Sequence, residues 1–294
     1  MGWGDGYIAV DWGTTNRRAY AVDAAGRCEA DMADDLGLLA VPKGGFAEAA
    51  AAIRARLGDR PMLLAGMVGS NRGWVEAPYV PAPAGAAELA AAIRWIEPGK
   101  IGIVPGVSQA GTAGADVMRG EEVQVIGAVA AGLVPDNVLI CHPGTHAKWI
   151  RVEGRRIAAF RTMMTGELFS LLKDRSILAD QLQGEISADS DGFREGAGLG
   201  LTGAPLLSSL FGIRARYLLG EAGADAAAFA SGLLIGSDVR AGLSLHGGEP
   251  IALVGRPDLC ALYAAALALA AEDATGIDGA TAFLAGMQLL TELI

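Results

Sequence analysis

The chain has 294 residues, of which 52% are hydrophobic and 19% charged, so it has the composition of a globular protein long enough for one large domain or two medium ones. Its formal net charge is −10 and it has no basic run, which argues against a nucleic-acid-binding protein. There is neither an apolar run of about 18 residues, as a membrane-spanning helix needs, nor a secretory signal, and the three cysteines are widely spaced, so we expect a soluble protein of the cytoplasm.

Short runs of β-forming residues alternate with alanine-rich helical segments along the chain. The predicted strands are residues 7–10, 19–22, 62–65, 101–104, 138–141, 149–152 and 251–254. The predicted helices are residues 46–57, 86–96, 121–133, 167–183, 225–245, 257–271 and 279–293. The proline-rich segment 75–85 is predicted to be an extended excursion on the surface. The alternation places the chain in the α/β class.

Two segments share one design, a strand, a turn containing Gly and Thr, and a second strand. The first turn is D-W-G-T-T-N around Gly13, and the second is C-H-P-G-T-H around Gly144. Both are predicted to be β-hairpins, each near the start of one half of the chain. The repetition indicates a duplicated, two-lobed fold, although a chance likeness of two short hairpins stays open.

Both hairpin tips have residue types suited to phosphate. Glycine lets backbone N–H groups approach an anion closely, and Thr or Asn side chains add donors. The candidate phosphate-binding residues are Gly13, Thr14, Thr15, Asn16 and Arg18 in the first tip and Gly144, Thr145, His146 and Lys148 in the second. Asp11, at the end of the first strand, is the candidate Mg²⁺ ligand. Ordinary hairpin turns contain the same residue types, so that alternative stays open.

Two weaker motifs are set aside. Residues 198–203 match G-x-G-x-x-G but follow a polar stretch rather than a strand, so we expect a glycine-rich helix or bend and not a dinucleotide site. His142 and His146 bracket a Pro-Gly turn and lack a third ligand, so we do not expect zinc.

Carboxylates cluster just before and at the start of the helix predicted from residue 121. Asp116, Glu121 and Glu122 are the candidate catalytic residues, because a carboxylate can orient and deprotonate a substrate hydroxyl that attacks a γ-phosphate. Acidic residues are also favoured at a helix start by the helix dipole, so a role in the first turn is the alternative.

Three further segments contain candidate ligand-binding residues. Segments 65–74 and 160–168 each contain an arginine that could bind the carboxylate of an acidic second ligand. The candidate residues for binding this ligand are Ser70, Asn71, Arg72, Trp74, Arg161 and Thr165. Thr165 is also expected to cap the following helix. Either arginine, taken singly, could instead be a solvated surface group. The turn after strand 251–254 contains Gly255, where an adenosine ring could lie against the backbone.

Six blocks occur in order: D-W-G-T-T-N-R-R, A-G-M-V-G-S-N-R-G-W, M-R-G-E-E-V-Q-V-I-G-A, P-G-T-H-A-K-W, F-R-T-M-M-T-G-E-L and F-A-S-G-L-L-I-G. In this order they resemble the 2-dehydro-3-deoxygalactonokinase family, over almost the whole chain. The resemblance implies the fold of the sugar kinase, actin and chaperone ATPase superfamily, with two ribonuclease-H-like lobes and a nucleotide cleft between them. It implies two lobes. The first comprises residues 1–134 together with the C-terminal helix 279–294, and the second comprises residues 135–278.

The resemblance also implies ATP-dependent phosphorylation of 2-dehydro-3-deoxy-D-galactonate at its 6-hydroxyl, with ATP and Mg²⁺, in galactonate catabolism. The hairpin at 11–18 corresponds to the first phosphate loop, 143–148 to the second, and Gly255 to the adenosine-binding turn. The superfamily usually supplies an Asp as base, whereas the base favoured here is Glu121. A kinase of another sugar or sugar acid with the same fold and a nucleotide-dependent binding or regulatory protein stay open as alternatives. The oligomeric state also stays open, with a homodimer as one option.

Overall fold

The computed structural model describes residues 3–111, 114–221 and 225–294, which form a mixed α/β structure. The strands are β1 Gly6–Trp12, β2 Arg17–Asp23, β3 Cys28–Asp34, β4 Met62–Gly66, β5 Tyr79–Pro81, β6 Arg94–Glu97, β7 Ile101–Ile103, β8 Gly106–Gln109, β9 Asp116–Met118, β10 Val138–His142, β11 Ala147–Glu153, β12 Arg156–Met163, β13 Ile251–Gly255 and β14 Ala274–Asp278. The helices are α1 Phe46–Leu57, α2 Ala86–Ala91, α3 Glu121–Ala130, α4 Thr165–Arg175, α5 Asp191–Leu201, α6 Leu206–Leu218, α7 Ala226–Leu243, α8 Pro257–Leu269 and α9 Gly279–Glu292.

Two compact units make up the chain. The first comprises Met1–Asp136, Glu153–Ala159 and Ala280–Ile294, and the second comprises Asn137–Val152 and Phe160–Gly279. The lobe boundaries expected from the sequence, 1–134 with 279–294 and 135–278, remain a prediction about domains.

A six-stranded sheet in the order β3-β2-β1-β4-β7-β6 forms the centre of the first unit. Strands β1, β2 and β3 pair antiparallel, whereas β4 pairs parallel with both β1 and β7. The runs Y-I-A-V and M-L-L-A-G are buried along their whole length, as is typical of parallel strands covered on both faces. Helix α1 packs Phe46 and Ile53 against this apolar sheet, in one core with Trp12. The carboxyl ends of β1 and β4 lie side by side, because Trp12 pairs with Gly66 in the parallel ladder.

The second sheet repeats this order, β12-β11-β10-β13-β14. Strand β10 pairs antiparallel with β11 and parallel with β13, and β13 pairs parallel with β14. In both sheets, the first strand of an antiparallel hairpin pairs parallel with a later strand, and that strand pairs parallel with its next neighbour. This confirms the internal repeat predicted from the two Gly-Thr turns. It also confirms the fold class, two ribonuclease-H-like sheets of the actin-like ATPase type.

Glycines allow helices α5 and α7 of the second unit to pack backbone against backbone. A Cβ at Gly196 would lie 2.8 Å from Leu233 N, and one at Gly200 would lie 2.6 Å from Ser237 N. The segment 198–203, which matches G-x-G-x-x-G, therefore lies at the end of a close-packed helix. This agrees with the expectation of a glycine-rich helix or bend.

Several predicted elements need correction. Helix 86–96 ends at Ala91, and Arg94–Glu97 forms β6 because it pairs antiparallel with β7. Segment 75–85 is not only a surface excursion, since Tyr79–Pro81 pairs with β8 and Ala84 is fully buried. Helix α6 lies in a stretch for which no helix was predicted, and α5 begins at Asp191, ahead of the segment 198–203 for which a helix or bend was expected. Among the described residues, no helix combines the length and apolar character needed to cross a membrane.

Candidate active site

The tip of the β1–β2 hairpin is fixed through its backbone, and its side chains face solvent. The Gly13 N–H donates to Asn16 O at 2.9 Å, and Gly13 O accepts from Leu38 N at 2.9 Å. Thr14 O accepts from Leu39 N at 3.1 Å. Thr14, Thr15 and Asn16 are exposed. The loop is therefore held in one shape while its hydroxyl and amide groups remain accessible to an anion.

Asp11 lies near the end of β1, opposite Arg18 on β2 and Ala65 on β4. Burial raises the pKa of Asp11 to about 6. The charge of Arg18 opposes this rise, whereas the charge of Glu121 adds to it. The structure therefore brings together the candidate metal ligand, a phosphate-loop arginine and the candidate base.

Two glycines allow helix α3 to start beside Asp11. Gly66 ends β4 with φ +91°, and Gly120 precedes α3 with φ +111°. A Cβ at Gly120 would lie 3.3 Å from Gly66 Cα, and one at Gly66 would lie 3.5 Å from Asp11 Oδ1. Both backbone conformations are ones that glycine adopts readily and other residues rarely do. This close approach explains how the charge of Glu121 raises the pKa of Asp11, which is far from Glu121 in the sequence.

The carboxylates of Glu121 and Glu122 differ in their surroundings. Glu121 is half-buried, and its Oε2 accepts from Arg119 N at 3.1 Å. Glu122 is fully buried, and its Oε2 accepts from Gly120 N at 2.7 Å. Burial raises the pKa of Glu122 to about 8, and the charge of Glu121 adds to the rise. Glu122 is therefore mainly protonated at neutral pH and suits a structural role, whereas Glu121 can be reached by a substrate.

Asp116, the third candidate carboxylate, lies on β9 at the edge of the three-stranded sheet β5-β8-β9. Its Oδ1 accepts from the backbone N–H of Val117 at 2.8 Å. This local contact is typical of a carboxylate that stabilises its own backbone. Glu121 is thus the candidate with the clearest link to Asp11.

The segment after β4 forms a tight loop with a buried base and an exposed tip. A 3₁₀ helix at Met67–Gly69 precedes Ser70, which is buried and accepts at Oγ from Arg72 N at 3.3 Å. Trp74 donates its backbone N–H to Val68 O at 2.8 Å and packs against the first core. Asn71 and Arg72 are exposed. The loop therefore offers an amide and a guanidinium from a fixed backbone.

The second hairpin tip, between β10 and β11, rests on the first turn of α4. Thr145 O accepts from Glu167 N at 2.9 Å, and the His146 ring hydrogen-bonds to the Glu167 carboxylate. A Cβ at Gly166 would lie 2.9 Å from Thr145 Cα. Lys148 is buried, and its Nζ donates to His146 O at 3.3 Å. Lys148 thus supports the loop from beneath, whereas Thr145 and His146 are exposed.

Thr165 does not cap α4, contrary to the expectation. Met164 occupies the cap position, and Thr165 is the first helical residue. The Thr165 hydroxyl instead donates to Asp238 on α7. Arg161 is exposed on β12, and its Nη1 donates to Ser244 Oγ at 3.0 Å. Both groups therefore already have a partner within the second unit.

An apolar cavity of about 360 Å³ opens beside Gly255. It is lined by the end of β13, by Cys260, Ala261 and Ala264 on α8, and by the end of β14. Gly255 has φ +151°, and a Cβ there would lie 3.7 Å from Pro143 O, at the start of the second hairpin tip. Small side chains and exposed backbone beside a phosphate-type loop suit a planar base. In the described parts of the chain, no group of three or more His, Cys, Asp or Glu residues could hold a metal ion by itself.

The model of the 2-keto-3-deoxy-galactonokinase family matches residues 11–290. The chain belongs to this family. It is 35% identical over 294 residues to the 2-dehydro-3-deoxygalactonokinase of Escherichia coli (strain K12), covering 98% of each chain. It is 36% identical over 307 residues to a probable 2-dehydro-3-deoxygalactonokinase of Rhizobium meliloti (strain 1021), covering 98% of this chain and 97% of that one.

A crystal structure of a candidate 2-dehydro-3-deoxygalactonokinase from Sinorhizobium meliloti superimposes with a TM-score of 0.90. It is 34% identical, and the match covers 97% of this chain and 98% of that one. Membership in the galactonokinase family therefore rests on sequence and on fold alike.

Some residues that organise these sites were not predicted as functional. Asp238 lies inside an alanine- and glycine-rich helix, where a single acid in a buried stretch was the available signal. Gly120, directly before the predicted helix 121–133, is likewise not among the candidate residues. Their roles depend on contacts with residues far away in the sequence.

Proposed function

We propose that this galactonokinase-family chain transfers the γ-phosphoryl group of ATP to the 6-hydroxyl of 2-dehydro-3-deoxy-D-galactonate. The 6-oxygen forms the new bond to phosphorus, the bond to the oxygen shared with the β-phosphate breaks, and ADP leaves. The hydroxyl proton passes to a carboxylate of the protein. The single observation that carries this proposal is the half-buried Glu121, held beside Asp11 at the end of a phosphate-type hairpin.

Glu121 is the proposed base. Its Oε2 accepts the backbone N–H of Arg119 at 3.1 Å, and its side chain stays partly exposed. A carboxylate that orients a hydroxyl and accepts its proton increases the rate by roughly 10²- to 10⁴-fold. Glu122 lacks this access because it is fully buried.

Asp11 is the proposed residue for Mg²⁺, either directly or through bound water. Mg²⁺ prefers carboxylate and water oxygens and usually keeps several waters, so one carboxylate next to phosphates is sufficient. Magnesium supplies charge neutralisation on the phosphate oxygens. The proposed phosphate donors are the backbone and side chains of Gly13–Asn16 with Arg18, and of Gly144–His146. The cavity beside Gly255 is the proposed adenosine pocket.

Arg72 is the proposed partner of the substrate carboxylate. It is exposed, and its backbone is fixed by the buried Ser70, so its guanidinium projects from a rigid loop. Arg161, the other candidate, already donates to Ser244 Oγ. A guanidinium binds a carboxylate through two parallel hydrogen bonds, which gives orientation as well as affinity.

The proposal is tested by ADP formation from ATP with a panel of sugar acids and sugars. We expect ADP release only with Mg²⁺, fastest with 2-dehydro-3-deoxy-D-galactonate and slower with its gluconate epimer. Discrimination by one hydroxyl can be large when a site is built to hydrogen-bond it. A higher kcat/KM for another compound of the panel would assign a different substrate. Slow hydrolysis unaffected by any of them would indicate a nucleotide-dependent regulatory protein.

A further inference from the structure

A buried carboxylate links three elements of the second unit. Asp238 on α7 is 4% exposed. Its Oδ1 accepts from Trp149 Nε1 at 2.6 Å, and its Oδ2 accepts from the Tyr263 hydroxyl at 2.6 Å and from the Thr165 hydroxyl. Burial raises the pKa of Asp238, and these three hydrogen bonds oppose the rise. Burying an acid is costly, and an apolar residue of similar size would fill a core at lower cost. Packing alone therefore does not account for an acid here.

Each donor leads to a different part of the proposed nucleotide site. Trp149 lies on β11, the strand that leaves the second hairpin tip. Thr165 starts α4 immediately before Gly166, whose backbone lies against Gly144 and Thr145. The next residue along α4 donates its backbone N–H to Thr145 O at 2.9 Å. Asp238 therefore fixes the start of α4, and the start of α4 fixes the phosphate loop.

The third link leads to the proposed adenosine pocket. Tyr263 lies on α8, the same helix that lines the 360 Å³ cavity through Cys260, Ala261 and Ala264. Tyr263 also lines a smaller apolar cavity of about 110 Å³ together with Gly144 and Thr165. Oδ2 of Asp238 thus joins α4, which supports the second hairpin tip, to α8, which lines the proposed adenosine pocket.

We propose that Asp238 is a positioning residue that sets the second phosphate loop relative to the adenosine pocket through Thr165 and Tyr263. This rests on the proposed function of the loop in binding ATP phosphates. Asp238 does not contact the nucleotide itself, because its carboxylate is buried and both oxygens already accept hydrogen bonds. Its effect is on nucleotide affinity and acts through the backbone of Gly144–His146.

The chemistry of the carboxylate suggests a nearly isosteric test. Oδ2 accepts two hydroxyl hydrogens at once, which the NH₂ group of an amide cannot do. Asp238→Asn can keep the Trp149 bond at Oδ1, but its NH₂ group cannot accept from either hydroxyl at the position of Oδ2. Thr165→Val removes the hydroxyl that joins Asp238 to α4, and Tyr263→Phe removes the hydroxyl that joins Asp238 to α8.

The measurements are the dissociation constant for ADP by calorimetry, the KM for ATP and kcat at saturating ATP, all with the full chain. We expect Asp238→Asn to weaken ADP binding about tenfold or more, since misplacing the loop loses charge-assisted hydrogen bonds to the phosphates. We expect Thr165→Val to show most of this loss and Tyr263→Phe a smaller part. The effects of Asp238→Asn and Thr165→Val should not add, because both break the same link.

Ser190→Ala is the matched control for a merely structural effect. Ser190 Oγ accepts from Phe193 N at 3.1 Å as the cap of α5, so its removal destabilises the same unit without touching the loop. Equal nucleotide affinity in Ser190→Ala, Asp238→Asn and Thr165→Val would overturn the proposal. If Asp238→Asn does not fold, Thr165→Val decides by itself. A parent chain that binds ADP but phosphorylates no sugar acid would contradict the reaction and leave this comparison intact, whereas a parent that binds no ADP would overturn both.

Discussion

The charge of Glu121 on α3 reaches Asp11 on β1, because Gly120 lets the start of α3 approach Gly66 at the end of β4, and Gly66 lies beside Asp11. The two carboxylates have different environments. Asp11 is desolvated at the end of a buried strand and faces Arg18, whereas Glu121 begins a helix and stays half-exposed. Such a difference suits the two proposed roles, Asp11 for a metal ion and Glu121 for a proton.

Glu121→Gln should lower kcat by roughly 10²- to 10⁴-fold, because the amide cannot accept the hydroxyl proton. The KM for ATP should change little, since the phosphate loops keep their residues. The amide can still accept the Arg119 backbone N–H, so the fold should be intact by circular dichroism. Glu122→Gln is the comparison variant. If it lowered kcat more than Glu121→Gln does, the base would have to be reassigned.

The Mg²⁺ requirement should be pH-dependent through Asp11. A carboxyl with a pKa of about 6 is protonated below that pH, and a proton competes with the metal ion. The Mg²⁺ concentration for half-maximal rate should therefore rise about tenfold per pH unit below about pH 6. Asp11→Asn should raise this concentration and abolish its pH dependence. Unchanged pH dependence in Asp11→Asn would remove Asp11 from the metal site.

Glu122 should make the protein less stable as the pH rises. Its pKa is about 8 in the folded chain and 4.5 ordinarily, so the folded state holds the proton that the unfolded state loses. Its contribution to stability is therefore complete below about pH 4.5 and is lost as the pH rises towards 8. The loss amounts to a few kcal/mol, since one pKa unit corresponds to about 1.4 kcal/mol.

Glu122→Gln tests this effect, because the amide oxygen can still accept the Gly120 N–H and carries no charge. Urea unfolding of the variant should gain stability relative to the parent between pH 5 and pH 8, measured over about three pH units. A constant difference between the two proteins over that interval would mean that Glu122 keeps an ordinary pKa.

Arg72→Ala should raise the KM for the sugar acid by about 10- to 100-fold, because a charge-assisted hydrogen bond contributes roughly 1.5–3 kcal/mol. The KM for ATP should stay within about twofold. Arg161→Ala is the comparison variant and should have the smaller effect. A larger effect at Arg161 would move the carboxylate site to that residue.

The repeated Gly-Thr hairpins made the two sheets predictable, because a strand, a glycine turn and a second strand are local features. Helix α1 was predicted with its observed ends, Phe46 and Leu57. Strand β6 was missed because R-W-I-E follows an alanine-rich helix and becomes a strand only by pairing with β7. Only the end of α5 was expected, as a helix or bend at 198–203, because glycines disfavour an isolated helix, and its packing against α7 compensates for this.

The candidate site was predictable to a similar extent. The loop residues and the carboxylates near Gly120 stand out by residue type and spacing. The choice between Glu121 and Glu122 depends on burial, which two adjacent acids in a sequence do not reveal. The role of Asp238 depends on donors from β11, α4 and α8, which only the folded second unit brings together.

The position of the phosphate in the product is the decisive measurement for the proposed reaction. The chain should be incubated with Mg-ATP and 2-dehydro-3-deoxy-D-galactonate, and the product examined by ³¹P and ¹H NMR. We expect one phosphomonoester, whose phosphorus couples to the protons of carbon 6 and which forms in the same amount as ADP. A phosphate on another oxygen, or ADP formed without any sugar phosphate, would contradict it.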